Sequence, residues 1–237
     1  MKDTAVKNMF ETIAGGYDFQ NSFLSLGIDI HWRSVLARLL RLPPGGLVLD
    51  VAIGTGEVAM AVCRRNRTAR VLGIDFSPAM LKVGRKKIAE RGLGERIAVA
   101  AGDGRGLPIR SGSIDAVTIS FGIRNIEEKE QVLREFHRVL KPGGQLMIME
   151  FSFPDTPLIG GLYRFYFEHL LPPLGNFISG TDYAYSYLAE SVRDFPGDLD
   201  FLGMIEAAGF EDTEVRKLTF GIAKIFAGNK GRSGKSD

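Results

Sequence analysis

Between Leu47 and Met149, short apolar runs alternate with helical patterns, and no other feature constrains the fold as tightly. Strands separated by helices do not pair as hairpins. They return in one direction and build a parallel sheet covered by helices. Five strands are read here. They are Gly46–Ala52 ("GLVLDVA"), Arg70–Asp75 ("RVLGID"), Arg96–Asp103 ("RIAVAAGD"), Ser113–Phe121 ("SIDAVTISF") and Gly144–Phe151 ("GQLMIMEF"). The helices between them carry readable punctuation. Ser77-Pro78 supplies an N-cap and a preorganised first helical residue. "KPGG" (Lys141–Gly144) ends another helix and turns the chain into the fifth strand.

After Phe151 the texture changes. Residues 152–196 are aromatic-rich and punctuated by Pro and Gly, and read as a helical insertion over the sheet. The alternation then resumes: "DLDFLGMIEAAGF" is an amphipathic helix closing at Gly209, and "EDTEVRKLTFGIAKIFAGNK" reads as two strands of an antiparallel hairpin. Residues 1–45 read as a helical N-terminal cap. The expectation is one α/β domain over residues 1–228, Rossmann-like, with a mostly parallel seven-stranded sheet and helices on both faces. Residues 229–237, rich in Gly, Ser and Lys, are expected to be a disordered tail.

Composition narrows the function classes. The net charge of +2 comes from the last nine residues, "NKGRSGKSD", with three basic groups and one acid, so the remaining body is neutral. A neutral body argues against a nucleic-acid partner, which needs a basic face. The single cysteine, Cys63, excludes an internal disulfide and lies in a helical pattern where a buried, inert thiol is expected. His31, His137 and His169 show no metal-ligand spacing, and no metal site is expected. The N-terminus lacks the apolar core of a signal peptide, and no window is long enough to span a membrane. A cytoplasmic protein is the expectation.

The chemistry concentrates at strand ends. "LDVAIGTGEVA" (Leu49–Ala59) is a strand, a glycine turn and a helix start, in which Gly54, Thr55 and Gly56 let the backbone approach a ligand. The spacing also fits the dinucleotide fingerprint. Charge separates the two readings. Asp50 ends the first strand and Glu57 opens the helix, which opposes a pyrophosphate but suits S-adenosylmethionine, with its sulfonium and ammonium. Asp75 ends the second strand, where a carboxylate can accept bonds from both ribose hydroxyls, with Phe76 beside it. Asp103-Gly104 ends the third, at the position where a methyltransferase usually reads the adenine amino group. Acids at three successive strand ends point to a class I methyltransferase rather than to an NAD-dependent dehydrogenase.

Three longer stretches sharpen this. "MFETIAGGYDFQNSFLSLGIDIHWR", "ISFGIRN" with "RVLKPGG", and "LPPLGNFISGTDYAYSYLAESVRDFP" together resemble the quinone-biosynthesis C-methyltransferases, the family of demethylmenaquinone methyltransferase and its ubiquinone-pathway counterparts. The resemblance covers nearly the whole chain. One departure is "AIGTGE", where the family commonly has a Gly-Gly-Thr-Gly-Asp loop, so Ile53 puts the loop backbone in question. By this resemblance Thr55, Asp75, Asp103-Gly104 and Ser120 contact S-adenosylmethionine. The implied acceptor is a ring carbon of a polyprenylated hydroquinone, demethylmenaquinol or a methoxy-polyprenyl-benzoquinol.

Such a reaction needs an electron-rich ring, an aligned methyl group and a route out for the ring proton. Arg124 and Asn125, just past Ser120, are expected to face the methyl donor. Arg124 is read as a charge stabiliser for a hydroquinone oxyanion and Asn125 as an orienter of the other hydroxyl. A surface pair of Arg124 with Glu127 or Glu128 is the competing reading. Tyr17 joins them as a catalytic candidate, with Asp18, Tyr185 and Tyr187 as weaker ones. A polyprenyl tail keeps the substrate in a bilayer. Leu158, Ile159, Leu162, Phe165, Tyr166 and Leu170 form an apolar helical stripe that suits a membrane surface, the substrate tail or a homodimer partner. Arg164 and Glu168, one turn apart, are expected to pair on the polar side. A non-catalytic cofactor-binding subunit and another small-molecule methyltransferase are the alternative classes.

Overall fold

In a computed structural model, the structure describes residues 2–16, 18, 22, 25, 27–154, 160, 161, 163, 165–170 and 184–232. Two helices precede the sheet, α1 (Lys2–Ile13) and α2 (Ile28–Leu39). The alternating body follows as β1 (Leu47–Val51), α3 (Glu57–Arg65), β2 (Arg70–Asp75), α4 (Pro78–Glu90), β3 (Ile97–Ala101), β4 (Ile114–Ser120), α5 (Lys129–Val139) and β5 (Leu140–Phe151). Then come α6 (Ala184–Arg193), α7 (Asp198–Ala207), β6 (Phe210–Leu218) and β7 (Ala223–Lys230).

The seven strands lie in the order β3-β2-β1-β4-β5-β7-β6. The first five are parallel, and β7 runs antiparallel between β5 and β6. Strand order reverses between β1 and β4, so their carboxyl ends diverge and leave a crevice. The strand alternation sorts side chains into two cores. Val48, Ala116, Met147 and Ile225 face Trp32, Leu36 and Val62 of α2 and α3. Their neighbours Leu49, Val117, Ile148 and Phe226 face Val132, Phe136 and Phe201 of α5 and α7. A third cluster joins Met9 and Ile13 of α1 to Met80 of α4, Phe167 and Val192. It ties α1, α4, α6 and the inserted segment together.

The helix starts follow the predicted chemistry. The Ser77 side chain accepts from Met80 N at 3.3 Å, with Pro78 in the first helical position. Ile53, the odd residue in the glycine loop, is buried over Gly73, where any Cβ would lie 2.1 Å from its Cδ1. The loop therefore tolerates a bulky residue because the second strand supplies a glycine beneath it.

Two boundaries differ from expectation. The run "KPGG" is drawn into the start of β5, with Gly143 at φ 76° making the bend. The last strand runs two residues past the expected edge at 228. Asn229 pairs with Gln145 and Glu211, and Lys230 Nζ donates to His137 O at 2.7 Å, closing the end of α5. Strand pairing and a helix-end carbonyl outweigh the Gly/Lys composition there. Among the described residues no helix is long and apolar enough to cross a membrane.

Candidate active site

The loop after β1 is held open by unusual backbone angles. Ala52 has φ 52°, Gly54 φ 56° and Gly56 φ 88°, and across the crevice Phe121 has φ 58°. Gly122 is the steric partner of this loop, because a Cβ there would lie 2.7 Å from Ala52 Cβ. Strained non-glycine residues on both sides of one cleft mark a place where shape has been set for a ligand.

That cleft is a cavity walled by Val6 and Phe10 of α1, the loop residues Ala52 and Gly54, and Asp75, Phe76, Asp103, Gly104, Ser120 and Asn125. Its apolar floor includes Ile74, Met80 and Ile126. Two of the three predicted strand-end acids, Asp75 and Asp103, thus meet here, and each arrives with partners of its own. Asp75 is buried, and its two oxygens accept from Gly54 N at 2.8 Å and Ser77 N at 2.9 Å. Burial pushes its carboxyl above the ordinary range, against those backbone bonds. Each carboxylate oxygen has two lone pairs, so acceptor capacity is left for a diol.

Asp103 is gripped by Arg105, Nε at 3.1 Å and Nη2 at 2.6 Å, and that guanidinium holds its carboxyl below the usual value. Arg105 also reaches Glu128 at 3.1 Å. Nothing in the strand pattern announced Arg105 as part of this wall, although its spacing of two from Asp103 is a turn signal.

Ser120 Oγ and Asn125 Oδ1 are buried beside the cavity and have no hydrogen-bond partner among the described residues. Buried polar atoms rarely stay unpaired, so they point to a ligand that completes them. Asp50 repeats the pattern deeper in. It is 2% exposed, its Oδ1 accepts from Thr118 Oγ1 at 2.6 Å, and its Oδ2 has no partner among the described residues. Burial raises its pKa to about 7. Thr55 is also buried and donates to Asp18 Oδ1 at 2.5 Å. Thr55 and Asp50 line a smaller chamber that shares Gly54 and Ser120 with the main cavity.

Arg124 departs from the expectation. The cavity wall holds Gly122 and Asn125, while the Arg124 guanidinium donates to Glu150 Oε2 at 2.9 Å and lies 5.8 Å from the Phe151 ring centroid. The reason is Glu150, which is 1% exposed at the end of β5 and demands a cation. Its distance of 26 residues hid it from the sequence. The competing surface pair with Glu127 or Glu128 is not formed: Arg124 is held by Glu150, and Glu128 pairs with Arg105. Tyr17 lies outside the described residues, as does the Tyr185 side chain, and Tyr187 packs with the third core cluster. In the stripe, Leu158, Ile159, Leu162 and Arg164 lie outside the described residues, as do the side chains of Glu168 and Leu170. Phe165 is 53% exposed, and the neighbouring Phe167 is buried.

The cleft fits an adenosyl group. It has an apolar floor, the Asp75 carboxylate with spare lone pairs, unfilled polar atoms at Ser120 and Asn125, and open space at Gly54, where a Cβ would meet nothing within 4 Å. Comparison with known proteins takes this further. The sequence profile of the ubiE/COQ5 methyltransferase family matches residues 1–230. The chain belongs to that family. As a ubiE/COQ5 methyltransferase it uses S-adenosylmethionine, which accounts for the negative charge around a glycine loop.

Its relatives match end to end. The chain is 42% identical over 231 residues to the ubiquinone/menaquinone biosynthesis C-methyltransferase UbiE of Geobacter sulfurreducens, covering 97% of this chain and 90% of that one. It is 43% identical over 222 residues to the demethylmenaquinone methyltransferase of Thermus thermophilus, covering 94% of this chain and all of that one. Among solved structures, a methyltransferase bound to the Haloferax volcanii Trm112 activator has a TM-score of 0.70 at 16% identity, covering 94% and 98% of the two chains. The [4+2]-cyclase SpnF has a TM-score of 0.69 at 18% identity, covering 96% of each. A cyclase on the same scaffold shows that the fold alone does not choose the reaction. The full-length family match does.

Proposed function

We propose that this family member methylates a ring carbon of a polyprenylated hydroquinone, converting demethylmenaquinol to menaquinol. The observation that carries the reading is the end-to-end match to demethylmenaquinone methyltransferases, including that of Deinococcus radiodurans at 43% identity over 97% of this chain and 94% of that one. When bound, S-adenosylmethionine supplies an electrophilic methyl group. The chain supplies position and charge. Asp75, Phe76 and Asp103-Gly104 hold the nucleoside, with Gly54, Thr55 and Gly56 shaping the loop beside it. Ser120 and Asn125 present unfilled polar atoms, and Asn125 orients an acceptor hydroxyl.

Arg124 stabilises negative charge on the ring oxygen. Support for this is its immobilisation by Glu150 and an Nε–H that is buried without a partner among the described residues. It does not act as the base, because a guanidinium stays protonated. The ring proton leaves by another acceptor.

Such a substrate places the enzyme at the cytoplasmic face of a membrane. Exposed apolar side chains support this, namely Phe165 at 53%, Ile30 at 58% and Phe220 at 70%. Ile30 and Phe220 neighbour one another's elements, since Trp32 Nε1 donates to Thr219 Oγ1 at 2.8 Å. Vesicle flotation of the wild type and Phe165→Ser tests it. Unchanged flotation overturns the membrane role of the stripe and favours a homodimer contact.

A second acceptor, 2-methoxy-6-polyprenyl-1,4-benzoquinol, is favoured by the Geobacter relative, whose name covers both pathways. Purified protein with labelled S-adenosylmethionine and each reduced quinone separates the two by mass spectrometry. Label on the naphthoquinol ring is expected. Label on the benzoquinol alone overturns the demethylmenaquinol assignment.

A further inference from the structure

Beside the Arg124–Glu150 pair lies another buried charge that the reaction as described does not use. Lys224 sits in β7 and is 6% exposed. β7 runs antiparallel to β5, and the register sets Lys224 directly opposite Glu150. Residues paired in this way share a face of the sheet, with Cβ atoms about 4.5–5.5 Å apart. Ile148 and Phe226, two residues away, also oppose one another and belong to the core shared with α5 and α7. One acid and one base therefore interrupt an apolar face, inside the protein and not at its surface.

The charges are tied from different elements. Glu150 Oε1 accepts from Arg124 N at 3.2 Å, and Oε2 accepts from Arg124 Nη1 at 2.9 Å and Phe151 N at 3.3 Å. Lys224 Nζ donates to both oxygens of Asp198, at 2.7 and 2.9 Å, in the first turn of α7. The four groups differ in exposure. The Arg124 and Lys224 side chains are each 7% exposed and Glu150 is 1% exposed, whereas Asp198 is 27% exposed. Solvent therefore screens Asp198 more than the other three. The buried part holds two cations against one anion. That excess matters at Arg124, because a guanidinium matched by one carboxylate is a neutral unit with little to offer an oxyanion. A second cation across the strand draws on the same carboxylate and leaves the pair a net positive field.

We propose that Lys224 is a positioning residue that acts through Glu150, keeping the Arg124 guanidinium electropositive towards the ring oxygen of the acceptor. The proposal rests on the role of Arg124 in the proposed function. The donor it serves is the Arg124 Nε–H, buried without a partner among the described residues. Packing alone does not call for a charge here, since well-packed apolar groups often replace buried ion pairs without loss of stability.

The test separates charge from packing. A 2-hydroxy-naphthoquinone is an anion at neutral pH, and its methyl ether is a neutral ligand of nearly the same shape. Each is titrated calorimetrically into the full chain holding S-adenosylhomocysteine. The wild type should prefer the anion. Lys224→Met should weaken the anion about three- to tenfold and leave the ether unchanged, the order of one charge acting through a neighbour. Turnover of demethylmenaquinol by that variant should fall by a similar factor in kcat at constant KM, and Lys224→Arg should keep both properties. Asp198→Asn weakens the same tie to α7 but removes the opposing charge, so anion affinity should hold or rise. Equal losses for anion and ether, the same loss in Lys224→Met and Asp198→Asn, or a wild type without preference would each overturn the inference. If Lys224→Met does not fold, Asp198→Asn decides: lost anion affinity overturns the inference. A wild type that prefers the anion but methylates no hydroquinone would instead refute the proposed function.

Discussion

Replacing Asp50 by asparagine changes one atom in the core of the site and leaves a group that can still accept from Thr118. In the folded chain the Asp50 pKa stands near 7, against an ordinary 3.8, chiefly because it is buried. The folded state therefore holds this proton more tightly than the unfolded chain does. Its stabilising effect is complete below about pH 4 and is lost as pH rises towards 7. A displacement of about three pKa units, at about 1.4 kcal/mol each, amounts to about 4 kcal/mol across that window. The wild type carries the titrating group and Asp50→Asn does not, so the difference between the two proteins isolates it. Equilibrium urea unfolding without cofactor, from about pH 4.5 to about pH 8, reads that difference across the ordinary and raised values. Asp75, whose pKa is also raised by burial, titrates in both proteins and cancels. The stability of Asp50→Asn relative to wild type should grow with pH by a few kcal/mol, on the order of the figure above. Parallel curves for the two proteins would refute the reasoning, since Asp50 would then be ionised at no cost.

Three further outcomes follow from the geometry. Asp75→Ala removes the acceptor for Gly54 N and Ser77 N, so titration with S-adenosylhomocysteine should show a raised Kd; an unchanged Kd refutes the nucleoside role. Gly122→Val pushes a side chain into Ala52, and thermal unfolding should report a loss of about 1–3 kcal/mol. Arg124→Ala should lower turnover with little change in cofactor Kd, while stability drops by about 3–5 kcal/mol because Glu150 is left buried without its cation. Adding Glu150→Gln should restore part of that stability but none of the turnover; full recovery of turnover would make Arg124 a structural residue only.

The local features of the chain were enough to specify its elements. Alternation of apolar runs with helical patterns reflects two short periods, and each is a property of neighbours in sequence. Hence β2 from Arg70 to Asp75, the Ser77-Pro78 start of α4 and the glycine loop before Glu57 could all be read directly. The acids at the strand ends were legible for the same reason, and so was the methyltransferase class.

What only the tertiary structure decided was pairing. Whether Arg124 meets Glu128 or Glu150 depends on β5 lying beside β4, a contact that bridges 26 residues. Arg33 lines the smaller chamber because α2 packs against α3, and Lys87 meets Glu57 because α4 brings its last turn there. Composition suggested a loose tail from 229, whereas Asn229 and Lys230 found strand partners in β5 and β6. Periodicity tells which face of an element is apolar, but the partner of a buried charge is chosen by whichever opposite charge the packed sheet brings within reach.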